Sequence, residues 1–145
     1  MRVAPDGWQL PAWKSGQFAV LGLPHSAPRS PYSDPETELE DNGKLIRRAY
    51  SIASAPEDQK HLEFYITLVQ SGALTPRLFA LKPGDRVFLG EKVKGTFTLS
   101  EVASGKNLIL VATGTGLAPY MSMLRSELEL TPDLHTVVLL GARHS

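Results

Sequence analysis

Two arginines, Arg47 and Arg48, stand directly before an alternating segment that carries Tyr50 and Ser51 ("LIRRAYSIASAP", 45–56). Successive side chains of a strand point to opposite faces, so Arg48 and Tyr50 share one face and Arg47 takes the other. A planar guanidinium beside an aromatic ring suits a ligand that has both a phosphate and a flat ring. Two solvated arginines on an edge strand suit the same residues, and exposed arginine is the norm. Pattern alone leaves both readings open.

"ATGTGLAP" (112–119) is the second candidate. A glycine-rich turn between an apolar run and a helix leaves backbone N–H groups free for an anion. Gly114 and Gly116 lack the third glycine of the dinucleotide fingerprint, so a structural tight turn and a phosphate or nicotinamide contact remain equal alternatives. The third candidate is "GALTPRL" (72–78), which predicts a glycine turn, a threonine cap, proline at the first helical position and a short helix. A capped helix start is again an anion site.

Other chemistries find no residues. His25, His61, His135 and His144 form no short-spacing cluster, and no Gly-x-Ser-x-Gly elbow is present. Without cysteine there is no disulfide, thiolate zinc site or cysteine-held iron–sulfur cluster in these 145 residues, and no metal site is expected. Fifteen basic and fifteen acidic side chains cancel, which argues against broad nucleic-acid binding. No apolar run approaches the ~20 residues of a membrane span, and "MRVAPDGWQLPAW" has no signal-peptide core, so a cytoplasmic protein is the default expectation.

These candidates need elements to hold them. "GQFAVLGL" (16–23) and "RRAYSIAS" (47–54) read as strands. Between them, the proline-, serine- and acid-rich stretch 24–45 reads as an exposed loop or insertion, with a solvated acidic run from Glu36 to Asp41. "HLEFYITLVQ" (61–70) alternates, with Leu62, Phe64, Ile66 and Leu68 on one face and Glu63, Tyr65 and Thr67 on the other. "KPGD" stops the short helix, and "RVFLGEKVKGTFTLS" gives one or two strands with a glycine break. Trp8 and Trp13 either cover one end of this assembly or pack on something else. "NLILVAT" (107–113) is continuously apolar, as a strand buried on both faces would be. "YMSMLRSELEL" has helical periodicity through Tyr120, Leu124 and Leu128, and "HTVVLLGAR" (135–143) is a second apolar strand. Strand, helix and strand in that order make one unit of a parallel α/β sheet.

The ordered set of motifs resembles the ferredoxin–NADP reductase family, with "RRAYSIAS" similar to its Arg-x-Tyr-Ser signature. "GQF", "GALTPRL", "KPGD", "ATGTGLAPYMSML" and "VVLLGAR" follow the family's order and spacing over nearly the whole chain. The closest likeness is to the bacterial ferredoxin (flavodoxin) reductases. The resemblance implies an antiparallel Greek-key β-barrel that binds FAD (1–100), followed by the start of an α/β parallel-sheet domain that binds NADP(H) (101–145). It implies that Arg48 and Ala49 hold the cofactor, Arg48 at the pyrophosphate, and that Tyr50 and Ser51 form the catalytic pair. Tyr50 would stack on the isoalloxazine and Ser51 would sit near the hydride-accepting nitrogen. Tyr65 and Ile66 would contact flavin or ribityl, Ala73, Leu74 and Thr75 the diphosphate, and Thr115 would lie between flavin and nicotinamide. Thr113, Gly114, Ala142 and Arg143 match positions that touch NADP(H). Ferredoxin or flavodoxin would be the electron acceptor. The reductase of an oxygenase, a flavin reductase and a non-catalytic barrel acting as an interaction module are the alternatives. Against the family pattern, a first barrel strand is missing, the nucleotide domain holds one strand–helix–strand unit, and stretch 24–45 is longer than usual. The expectation is a chain truncated at both ends, a weak enzyme, prone to self-association through uncovered edges.

Overall fold

Alternating burial builds the first part of the chain. The computed structural model describes residues 1–36, 43–102, 107–126 and 135–142. Strand β1 (Arg2–Val3) and β2 (Phe18–Pro24) are followed by β3 (Leu45–Ser51), β4 (Leu62–Glu63) and a short helix α1 (Thr75–Leu78). Strand β5 (Phe88–Leu89), β6 (Leu108–Thr113), helix α2 (Leu117–Leu124) and β7 (Thr136–Gly141) complete the order. β2 pairs antiparallel with β3 along its whole length, from Phe18 opposite Ser51 to Pro24 opposite Leu45. Its other edge takes β5, and β1 pairs with β4. A bridge between Ile52 and Phe64 links the two sheets.

Strand order is therefore β1-β4 beside β3-β2-β5, all antiparallel, as an antiparallel barrel requires. The barrel does not close. A groove of 1140 Å³ lies between the free edges of β1 and β5, lined by Val3, Trp8, Ile66, Leu78 and Phe88 among others. Arg86 and Asp6 form an exposed ion pair at 2.6 Å in this region. The core collects the inward residues Ala19, Leu21, Leu23, Ile46, Ile52, Leu62 and Phe64. Burial of this kind stabilises by roughly 25 cal/mol per Å² of apolar surface removed from water. Trp13 joins this core and Trp8 packs against it, so both tryptophans cover the barrel.

Four expectations need correction. The alternation of 61–70 holds in burial, with Leu62 and Phe64 inside and Tyr65 and Thr67 exposed, but hydrogen-bonded pairing stops early in the segment. The threonine does not cap α1: Leu74 takes the N-cap position, and Thr75 is the first helical residue. Its Oγ1 instead accepts from the Val69 N–H at 3.0 Å, a local competitor that closes the preceding turn. The loop 24–36 is not simply exposed: Ser30 is buried and its N–H donates to the Pro76 carbonyl at 2.9 Å. Finally, β6 is not buried on both faces. Leu110 and Ala112 are inside, while Ile109 and Val111 are 64% and 63% exposed.

β6 and β7 pair in parallel, from Leu108 opposite Thr136 to Thr113 opposite Gly141. Tyr120 and Met123 of α2 cover the inner face of β6, and the Tyr120 hydroxyl donates to the Val111 carbonyl at 2.9 Å. The expected strand–helix–strand unit is present; the stretch beyond Ser126 that would carry Leu128 lies outside the described residues.

This unit is fastened to the barrel by serines. Ser122 Oγ donates to the Ser54 carbonyl at 2.7 Å, and Ser15 Oγ meets Ser126 Oγ at 2.7 Å. All four serines are buried. Arg125 adds a 2.6 Å contact to Glu63 and donates to the Ala53 carbonyl at 3.2 Å. Gly16 sits tightly between the two: its φ is +95°, and a Cβ there would lie 1.7 Å from the Phe97 carbonyl oxygen and 2.8 Å from Met123 Cε of α2.

Candidate functional site

Register decides where the arginines of β3 go. Arg48 stands opposite Leu21 and Arg47 opposite Gly22, so the two guanidiniums leave on opposite faces. Arg47 crosses the glycine and lies 4.4 Å over the Phe88 ring, a cation–π contact. It stays exposed and lines a second groove of 640 Å³ with Trp8, Phe18 and Val20.

Arg48 remains exposed, and it donates to the Arg47 carbonyl at 2.8 Å. Tyr50 follows on the same face, half-buried, with its ring edge-on to Phe64 at 6.4 Å between centroids. Burial pushes the Tyr50 phenol above its ordinary range, and the positive charge of Arg48 partly opposes the shift. The tyrosine is therefore neutral at neutral pH, an uncharged ring fixed beside a free cation. Ser51 ends the strand opposite Phe18, partly buried, and Ala49 is exposed opposite Val20. Tyr65 is exposed, while Ile66 packs against the core.

The turn before α1 supplies a second group of donors. Leu74 is buried, and the Arg77 and Leu78 N–H groups both donate to its carbonyl at 3.0 Å. Among the described residues, the N–H groups of Leu74 and Thr75 meet no acceptor. That is the state expected of a helix start able to receive an anion. Sequence reading missed what braces this turn. Arg77 is 1% exposed and grips Glu36 through two contacts, 3.1 and 2.6 Å long. No local signal links the two, which stand 41 residues apart.

The glycine turn after β6 forms as a 3₁₀ turn, Gly114–Gly116, running directly into α2. Gly114 has φ +50° and faces open space, a conformation that favours glycine. Thr113, Thr115 and Ala142 are all exposed. Thr113 and Gly141 are neighbours at the ends of the parallel strands, which puts 113–115 and 142 along one edge. The C-terminal ends of parallel strands are where open α/β sheets receive ligands. Arg143 lies outside the described residues. No group of metal-ligating side chains occurs among the described residues.

Neither groove contains Arg48, Tyr50 or Ser51. The larger is the unclosed gap of the barrel, whereas the candidate residues line an open surface. Residue chemistry is the better guide here, since volume alone measures a missing wall as readily as a ligand site.

Residues 36–98 match the family described as the oxidoreductase FAD-binding domain. The chain is 39% identical over 138 residues to the flavodoxin/ferredoxin–NADP reductase of Buchnera aphidicola, a match covering 92% of this chain and 53% of that protein. The structure of a ferredoxin NADP+ reductase from Neisseria gonorrhoeae with bound FAD and NADP superposes with a TM-score of 0.70 at 26% identity, over 97% of this chain and 49% of that one. A cytochrome P450 reductase from Amycolatopsis gives a TM-score of 0.68, also at 26% identity, over 92% and 36%. The chain thus spans between about a third and a half of the length of these proteins. The resemblance to the ferredoxin–NADP reductases stands, and the fold is that of a ferredoxin-reductase-like barrel leading into the start of an α/β sheet.

Proposed function

We propose that the chain is the flavin-binding part of an NADPH-dependent oxidoreductase that passes electrons to ferredoxin or flavodoxin. One observation carries the reading: Arg48 and Tyr50 stand exposed and half-buried on one face of β3. The cofactor would be FAD, and the residues present fit it. Arg48 offers a planar, always-charged donor to a pyrophosphate, and Tyr50 a neutral ring to a flat heterocycle. The free N–H groups of Leu74 and Thr75 offer two more donors to the second phosphate. Tyr65 would bound the same surface, Ala49, whose side chain points to the other face, would take part through its backbone, and Ile66, which packs toward the core, would back it.

Bound FAD would supply the redox chemistry: acceptance of two electrons from a pyridine nucleotide and their release one at a time. The chain's own part is to hold and orient. Tyr50 would cover one ring face and exclude water there. Ser51 would place its hydroxyl at the reacting edge. Thr113, Gly114, Thr115 and Ala142, with Arg143, would receive NADPH at the C-terminal edge of the parallel pair. The α2 seam would keep that edge at a fixed distance from β3. The division near residue 100 belongs to this reading, supported by the change from antiparallel to parallel pairing between β5 and β6.

A second reading keeps the fold and changes the acceptor: the reductase component of an oxygenase, favoured by the likeness to the Amycolatopsis cytochrome P450 reductase. Comparing ferredoxin, flavodoxin and an oxygenase as electron acceptors separates the two. A cytoplasmic location is part of the proposal, because reduced pyridine nucleotide would be the donor. Among the described residues no helix is long and apolar enough to cross a membrane.

Flavin titration is the direct test. Arg48→Ala should weaken FAD binding by the loss of charge-assisted hydrogen bonds, ~1.5–3 kcal/mol each. Arg47→Ala is the control and should leave FAD affinity unchanged. Equal affinity of wild type and Arg48→Ala would remove the assignment. These 145 residues by themselves should reduce ferricyanide with NADPH far more slowly than the ~1–1000 per second usual for enzymes; a rate in that range would show the nucleotide site to be sufficient as it stands.

A further inference from the structure

Tyr50 reaches the surface with little to hold its ring. On β2 it faces Ala19, whose small side chain is wholly buried. Its hydroxyl meets no hydrogen-bond partner among the described residues. Arg48 does not hold it either, since that guanidinium turns back to the Arg47 carbonyl. A tyrosine so placed moves between rotamers unless another group packs against it.

Phe64 is that group. Ile52, two residues beyond Tyr50 and on the same face, is bridged to Phe64. Phe64 is therefore a diagonal cross-strand neighbour of Tyr50, at a separation that aromatic side chains span. The two rings meet at 6.4 Å between centroids, with 70° between their planes. This is an edge contact within the range that aromatic pairs prefer. Phe64 itself is anchored. It is 3% exposed, belongs to one core cluster with Ile52 and Leu62, and its N–H donates to the Met1 carbonyl at 2.9 Å. The fixed ring dictates the plane of the freer one.

We propose that Phe64 is a positioning residue: its buried ring sets the plane of Tyr50, and through Tyr50 the stacking geometry on a flavin ring that Phe64 does not itself touch. This rests on the flavin reading above and adds a residue to that same surface. Stacking area depends on the plane of the ring, and a ring ordered beforehand spares binding the cost of ordering it.

The test uses the whole 145-residue chain with FAD as the probe. A tyrosine stacked on a flavin quenches its fluorescence, and the quenching falls off steeply with separation. Bound FAD should therefore be dim in the wild type and bright in Tyr50→Ala. Phe64→Leu removes the ring and keeps an apolar side chain. At saturating FAD it should lose most of the quenching, and its FAD affinity should fall roughly two- to tenfold, the worth of one aromatic pair. Phe64→Met removes the ring as well and fills the core gap with a flexible side chain, so the outcome does not hang on one variant's folding. In a Tyr50→Ala background, adding Phe64→Leu should change neither brightness nor affinity further. Unchanged quenching and affinity in both Phe64 variants overturns the proposal alone. So does a loss that persists undiminished in the Tyr50→Ala background, because Phe64 would then act through the core and not through Tyr50. A wild-type chain that binds no FAD, or whose bound FAD is as bright as in Tyr50→Ala, overturns the placing of Tyr50 on the flavin and the proposal with it.

Discussion

Strands β2 and β3 hide Ala19, Leu21, Leu23 and Ile46 in a shared core, while β6 and β7, more apolar residue for residue, leave Ile109, Val111, Val137 and Leu139 half or more exposed. The barrel strands alternate because one of their faces was always meant for water. The parallel strands do not alternate, yet α2 covers only one side of β6. The difference separates two sources of apolar sequence: burial achieved by the chain on itself, and burial that needs another surface. It also separates how the two regions bear on function. The barrel holds Arg48 and Tyr50 on strands that share a buried core, whereas the edge bearing Thr113 to Thr115 sits on a sheet with one side uncovered among the described residues.

The sharpest test of this contrast is truncation of one apolar side chain in each region. Leu21→Ala should cost about 2–5 kcal/mol in chemical unfolding, because Leu21 is wholly buried. Val111→Ala should stay within about 0.5 kcal/mol. Similar losses at both sites would mean that the outer face of β6 is covered in solution. That possibility has its own measurement. Exposed apolar patches of this kind are unusual on monomers, so we expect the chain to self-associate at micromolar concentration in light scattering after size exclusion. Ile109→Lys with Val111→Lys should disperse it. A wild-type chain that is a stable monomer would break the comparison.

The seam offers a smaller effect. Ser122→Ala leaves the buried Ser54 carbonyl without its donor, which should cost ~1–3 kcal/mol. It should also split thermal unfolding into two transitions if the seam is what couples the regions; one unchanged transition would show that it is not. The smallest effect is one of pH. Hydrogen bonds from Arg125 and Arg2 hold the Glu63 carboxyl at about 2. Its folded value lies below the ordinary ~4.3, so its contribution is complete above that pH and is lost as pH falls toward about 2. Glu63→Gln should flatten the decline in stability between about pH 4.5 and about pH 2; an unaltered decline would assign it to other carboxylates.

Local signals were legible in the chain, and long-range ones were not. β3 and the opposed arginines followed from period two, and α2 with its glycine turn from period 3.6. Thr75 was misplaced by one position because a cap and a turn-closing hydroxyl look alike in sequence. Arg47 over Phe88 depends on Gly22 lying between two neighbouring strands, a relation no single segment carries. Arg77 with Glu36 was hidden for the same reason: the partners sit 41 residues apart, and the loop's composition suggests solvent. Of the site, the residues that would face a ligand were readable from motifs. The residues that would hold those in place were not.

The hydroxyl pair of Ser15 and Ser126 joins positions 111 residues apart. A ribosome adds about 5–20 residues each second, so Ser15 waits on the order of 5–20 seconds for its partner to be made. The barrel's strands are all available before then. During synthesis, the Trp13–Ser15 stretch must therefore pack against β-structure first and receive α2 afterwards. Birth order makes the seam a late event, and a chain released early from the ribosome would expose an open barrel with an empty serine socket.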